Sequence, residues 1–284
     1  MDRRHFIKLG SALGVSTLLP SEVHSLCKQI EMFCPDFSQR KIILIQLAGG
    51  NDGLNTVIPI AQYDTYANFR PSIRIKNTGL NQFITLDSTL NNENQVGLHP
   101  ILTPFKNLYD KGYLKIIQGV GYPNCNKSHF KSTDLWLSGG DGMTENFLIE
   151  SGWVGRFMEA YYEESQMATY PAALQVGSSS DSLLFHDSNK QNKGMCMGLM
   201  DADHYYSLIN GFAGVGPTIV PSNEFGDKLN YVMSVDAKAN TYKEPINKAF
   251  EKGTNNVTYP DTDLGNQLKT VARLISGDLK TGIY

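Results

Sequence analysis

Two apolar runs, Lys41 to Leu47 (KIILIQL) and Leu114 to Val120 (LKIIQGV), flank a segment of helical periodicity, and this spacing restricts the fold more than any other feature. Nearly continuous apolar runs suit strands buried on both faces, as in a parallel sheet. The segment between them contains Pro100 at a helix start and Ile101, Leu102, Phe105, Leu108 and Tyr109 at helical spacing, until Gly112 stops them. A helix joining two buried strands is the βαβ pattern. The expected fold class is therefore α/β, mainly a parallel sheet flanked by helices.

The rest of the chain fits that class. Gln62 to Phe69 predicts a short helix ended by Pro71, Ser128 to about Leu137 another closed by Gly139 and Gly140, and Trp153 to Glu163 a third. Ala172 to Val176 predicts a third strand and Leu183 to Phe185 a short fourth. From Asp187 to Pro221 the glycines and the methionines Met195, Met197 and Met200 interrupt periodicity, and loops with short helices are expected. A last helix over Asp263 to Ser276 has Leu264, Leu268, Val271, Leu274 and Ile275 on one face. After it, Thr281 to Tyr284 reads as the opening of another strand, so the sequence is expected to continue in its natural form.

The N-terminus reads Asp2-Arg3-Arg4-His5-Phe6-Ile7-Lys8, followed by an apolar stretch from Leu9 to Leu19. That order matches a twin-arginine export signal, with a short amphipathic N-terminal helix as the alternative, and the stretch is well short of the roughly 18 residues a transmembrane helix needs. The expected organisation is a signal peptide and linker over residues 1–35 and an α/β domain over 36–284. The expected location is outside the cytoplasm, in the periplasm or cell envelope, with the twin-arginine translocation machinery as a partner.

Composition narrows the function classes. The chain has 284 residues, 41% apolar and 19% charged, with a net charge of −3. It offers no broad attraction for nucleic acid. Its cysteines, Cys27, Cys34, Cys125 and Cys196, form no zinc spacing and no CxxC pair; a local bridge between Cys27 and Cys34 is the alternative to the expected state of all four, free small hydrophobes. No GxSxG elbow, P-loop or GxGxxG is present, which removes support for the folds they mark.

Two loops after apolar runs are candidates for chemistry, since ligands in parallel sheets collect beyond the carboxyl ends of strands. In Leu47 to Asn55, Asp52 is a hard oxygen ligand for Zn, Ca or Mg set among glycines. The same residues also make an ordinary Asn-Asp-Gly turn. Asn55 in this loop is a candidate substrate contact. In the second loop, Gly121 to Phe130, Ser128 stands at a helix start, where backbone N–H groups and the helix dipole favour an anion and would assist a serine attacking a phosphoryl or sulfuryl centre. Capping the helix is the alternative role for Ser128. Lys127 is suited to neutralising substrate charge and His129 to binding an anion or metal. Weaker candidates are Asp201, Asp203 and His204, which are metal-ligand types, together with His99 before Pro100 and His186.

Taken together, the twin-arginine leader, Leu47 to Pro59 (LAGGNDGLNTVIP), Gly97-Leu98-His99-Pro100, Ile117 to Phe130 (IQGVGYPNCNKSHF) and Gly152 to Phe157 (GWVGRF) resemble an exported bacterial family, domain of unknown function 1501. That family is similar to the alkaline phosphatase and sulfatase superfamily, whose members hydrolyse phosphate or sulfate esters with divalent metals on a parallel sheet. The resemblance implies that Asp52 matches the metal-binding aspartate after the first strand and that Ser128 matches the nucleophile. It also implies later Gly-Gly-Phe-Asp-Thr-His and Asp-His-Gly segments carrying the other metal ligands, and neither is present here. One aspartate and one serine cannot hold a two-metal centre, so the site is incomplete in this chain and the chain by itself is expected to be inactive. The expected ligand is a small-molecule or glycan ester. The competing expectation is a non-catalytic binding or assembly protein of the cell envelope on the same scaffold.

Overall fold

A computed structural model describes residues 40–47, 50–125, 127–140, 142, 150–162, 169–177, 182–188, 196–199 and 217–284. The expected leader, Cys27, Cys34 and the Asp201 to His204 segment lie outside the described residues. The protein is mixed α/β and divides into two compact units, residues 45–121 and residues 1–44 with 122–284.

Within residues 45–121, the Asn-Asp-Gly turn opens into one helical turn, α1 (Gly53–Thr56), and runs into β1 (Val57–Pro59). A 3-10 turn leads to α2 (Tyr63–Phe69), which ends before Pro71. Strands β2 (Ile84–Thr85) and β3 (Val96–Leu98) complete a three-stranded sheet in which β3 is central and antiparallel to both neighbours. Its small core joins Ile58 to Tyr66 and Ala67, with Tyr63, Ile75 and Phe83 packed beside them. The strands are two or three residues long, so each offers too little alternation to stand out in the sequence. Gly97 lies under the Phe83 ring, where an added Cβ would come within 2.6 Å.

The helix expected after Pro100 is present as a 3-10 turn and α3 (Thr103–Asp110). Its apolar face is open to solvent, with Ile101 76% and Phe105 47% exposed. The expected strand over Leu114 to Val120 differs more. It makes no strand pairing among the described residues, and Ile117 is 81% exposed. The run has strand composition, but burial on two faces requires neighbouring strands, and composition cannot supply them.

In the other unit, α4 (His129–Ser138) and α5 (Trp153–Tyr161) match their expected spans closely. The α4 helix stops at Gly139, which takes a left-handed φ of 69° and closes the last turn through its N–H to Leu135 O. Strand β4 (Ala173–Val176) pairs in parallel with β5 (Cys196–Leu199), a strand inside a region expected to be loops and short helices. Leu183 to Phe185, expected as a strand, is a 3-10 turn capped by the Ser182 side chain.

Helix α6 (Glu224–Lys252) has no strong sequence signature. It starts on an Asn223 cap, continues through Pro245, and buries Tyr242, Ile246 and Ala249 towards its C-terminal half. Helix α7 (Asp263–Ser276) spans its predicted range, capped by Thr262. The two helices and β4 enclose the main core of Leu174, Leu199, Tyr242, Ile246, Val271 and Leu274.

The parallel arrangement extends beyond β4 and β5. Ile283 makes parallel bridges to Ala173 on one side and Ile42 on the other. Ile42 N–H donates to Gly282 O at 2.8 Å, Leu44 N–H to Tyr284 O at 2.7 Å, and Leu174 N–H to Ile283 O at 2.9 Å. The start of the first apolar run and the last residues are thus adjacent extended segments. Ile43 on that outer segment remains 46% exposed, in contrast to the double burial expected of it.

Backbone packs closely where α5 crosses the Leu183 to Asp187 segment. A Cβ on Gly152 would come within 2.0 Å of Leu184 O, and one on Gly155 within 2.0 Å of His186 O. These clashes are with backbone, which has little room to move. Gly155→Ala is expected to destabilise the chain by ~1–3 kcal/mol or more, and Leu274→Ala by ~2–5 kcal/mol. Gly53→Ala, where an added Cβ meets nothing within 4 Å, is expected to change little. Urea unfolding of the full chain measures all three.

Candidate functional site

The two candidate loops belong to different units, Asp52 with Asn55 in residues 45–121 and Ser128 with Lys127 and His129 in the other. Asp52 is the N-cap of α1, where its carboxylate accepts from Asn55 N–H at 3.3 Å. Both of its oxygens also accept from Arg70 Nη1, at 2.6 and 2.8 Å. Arg70 lies at the C-terminal end of α2, so an ion pair joins the turn to the next helix.

A second connection runs beside it. The Asn55 side chain accepts from the Tyr66 hydroxyl at 2.6 Å and donates to Ile73 O at 3.0 Å. The same hydroxyl accepts from Ile75 N–H at 2.7 Å. Thr56 Oγ1 lies 2.9 Å from both Asp52 O and Asn51 Oδ1, which share its one proton. Polar groups singled out for ligand binding are thus held by partners within the same unit.

A divalent metal, implied by the resemblance, is a poor fit to these residues. The carboxylate of Asp52 is already neutralised by a guanidinium, and no group of three or more His, Cys, Asp or Glu among the described residues is placed to hold a metal. Zinc sites need three or four protein ligands. No chemical step is therefore routed through a metal.

The second loop enters α4 through two non-glycine residues with left-handed backbone, Asn124 at φ 53° and Lys127 at φ 62°. This conformation is uncommon outside glycine, although asparagine tolerates it better than most. It turns the chain so that Ser128 becomes the N-cap of α4, its Oγ accepting from Lys131 N–H at 3.3 Å. Ser132 Oγ donates to Ser128 O at 2.9 Å and lies 3.1 Å from the Tyr122 hydroxyl. The first turn contains no acid, so nothing in it offsets the positive end of the helix. His129 and Lys127 are exposed beside it.

The far end of α4 is also fixed by side chains. Arg156 donates to Ser138 O at 2.8 Å and to the carbonyl and hydroxyl of Ser151 at 2.9 Å. A cation at the helix C-terminus complements its dipole. Trp136 and Trp153 meet edge-on with centroids 6.2 Å apart. The Gly152 to Phe157 segment thus supports the helix that carries Ser128.

Of the weaker candidates, His99 caps the 3-10 turn at Pro100 through Nδ1, and the His186 carbonyl accepts from Gly152 N–H. Two groups were not legible in the sequence. Asp187 is fully buried, in a stretch that reads only as the start of a loop. Cys125 is exposed, in contrast to Cys196, which is buried in β5 as expected of a small hydrophobe. Hydrogen bonds from the Tyr122 hydroxyl and from Lys127 N–H hold the Cys125 thiol below the usual thiol range.

A short iodoacetamide pulse is accordingly expected to label Cys125 and leave Cys196 unlabelled until the chain unfolds, as read by peptide mapping. The rate at Cys125 should rise with pH to a midpoint below the ordinary thiol value of about 8.5, and Tyr122→Phe should move that midpoint upward. No family model matches the chain, and neither a curated protein nor a solved structure does.

Proposed function

We propose, in place of the inactivity expected from its incomplete metal-ligand set, that the chain is an exported envelope protein that handles phosphate or sulfate esters at the N-terminus of α4, with Ser128 as the nucleophile. The observation that carries this reading is the capping of α4 by Ser128, with no acid in the first turn and with exposed Lys127 and His129 beside it. In the reaction, Ser128 Oγ forms a bond to phosphorus or sulfur while the bond to the alcohol oxygen breaks. The departing alkoxide takes the electron pair and acquires the proton that the serine loses. Hydrolysis of the serine ester then returns the hydroxyl and releases phosphate or sulfate. Charge developing on the equatorial oxygens faces the start of α4, where N–H groups and Lys127 are the available donors. Export by the twin-arginine route belongs to the same proposal and rests on Arg3 and Arg4.

A second reading, non-catalytic binding in the envelope, is favoured by one specific observation. Asp52 and Asn55 are engaged by Arg70, Tyr66 and Ile73, which are scaffold contacts. On this reading Ser128 is a cap.

The full chain assayed against p-nitrophenyl phosphate and p-nitrophenyl sulfate separates the two. If Ser128 is the nucleophile, Ser128→Ala lowers turnover by at least about 10³-fold, beyond what loss of a cap worth ~1 kcal/mol produces. Turnover unchanged in Ser128→Ala rejects the nucleophile. Absence of turnover, with saturable binding to an envelope polysaccharide that survives chelation, supports the second reading.

A further inference from the structure

We infer that Arg70 is the resident cation of Asp52: the pair clasps the Asn51 to Asn55 turn to the end of α2, and while it is closed Asp52 is not a metal ligand. The inference is independent of any role for Ser128, which lies in the other unit.

Three features of the geometry support it. One guanidinium nitrogen, Arg70 Nη1, approaches both carboxylate oxygens at 2.6 and 2.8 Å, covering the position between them that a cation shared by both oxygens would occupy. A divalent ion there would sit against a guanidinium, and the like-charge repulsion opposes it. Asp52 is also tied to its own turn, because Oδ1 accepts from Asn55 N–H and the Asp52 carbonyl accepts from Asn55 N–H and Thr56 N–H at 3.1 and 2.9 Å.

The clasp has a parallel rung. Asn55 is tied by its side chain to Tyr66 and to Ile73, so Arg70 lies within the 66–73 stretch that Asn55 already grips. Two rungs joining the same two segments restrict each other, since closing one reduces the freedom lost on closing the next. An ordinary exposed ion pair lacks this support and contributes little. Arg70 is thus a positioning residue for the turn, acting on the backbone of α1 through Asp52.

The test uses the full chain with D52N, R70Q, R70K and the D52N/R70Q double variant, read by amide hydrogen exchange at Asn55 and Thr56 and by Mn²⁺ titration. D52N and R70Q are each expected to speed exchange at these amides by about fivefold or more, with the double variant no faster than either single. R70K, which keeps a cation within reach, is expected to stay nearer the wild type. Mn²⁺ titration is expected to be identical in wild type and D52N. Additive effects in the double variant, or unchanged exchange in both singles, overturns the clasp. A stoichiometric Mn²⁺ site that D52N removes while Arg70 is intact overturns the exclusion of metal. Neither result depends on ester turnover, so failure here is distinct from failure of the Ser128 reading.

Discussion

The insertion of Gly282 to Tyr284 between β4 and the Ile42 to Leu44 segment is the interaction on which the larger unit depends. Without it, β4 and β5 are a two-stranded parallel ribbon among the described residues, and parallel pairing is slightly weaker per residue than antiparallel. With it, four extended segments lie side by side, and the cores on either side acquire a common wall. Ala173, Ile283 and Cys196 belong to the cluster under α5, while Leu174, Leu199 and Tyr284 belong to the one under α6 and α7. Lys41 reinforces the join by donating to Leu279 O at 3.0 Å and Thr281 O at 2.8 Å. Burial and the nearby Lys280 lower the pKa of that ammonium, a cost accepted where two backbone carbonyls receive its hydrogen bonds.

The same unit shows how a short glycine-bearing segment serves a site from a distance. Gly152 and Gly155 let α5 lie directly on the backbone of Leu184 and His186, and Arg156 then reaches the last carbonyl of α4. The orientation of α4 sets the orientation of its first turn, because a helix of ten residues behaves as a rod. Ser128 is therefore fixed both by local capping and by contacts at the opposite end of its helix.

Features carried by local chemistry were legible in the sequence. Ser128 and Gly139 mark helix boundaries through hydrogen bonds made within a few residues, Pro100 marks one through its fixed φ and missing N–H, and α4 falls where its two markers place it. Features that depend on a distant partner were not. Leu114 to Val120 has the composition of a strand and pairs with none among the described residues, whereas Cys196 to Leu199, broken by Gly198, is a strand because β4 lies beside it. Helix α6 escapes notice because its burial is concentrated towards one end and its sequence includes Pro245. At the candidate sites, residue types and loop positions could be read directly. That Arg70 would neutralise Asp52 could not, since 18 residues separate them and no periodicity links them.

The placement of the last residues also sets an order of events during synthesis. The Lys41 side chain bonds to a carbonyl 238 residues away, and the Ile42 backbone pairs with a segment made at the very end of this sequence. On a ribosome producing ~5–20 residues per second, more than ten seconds pass between the emergence of these partners. Throughout that interval the apolar segment around Ile42 and Ile43 has open N–H and C=O groups, the condition in which strand edges pair with the wrong chain. Until Ile283 arrives, the native partner of that edge does not yet exist.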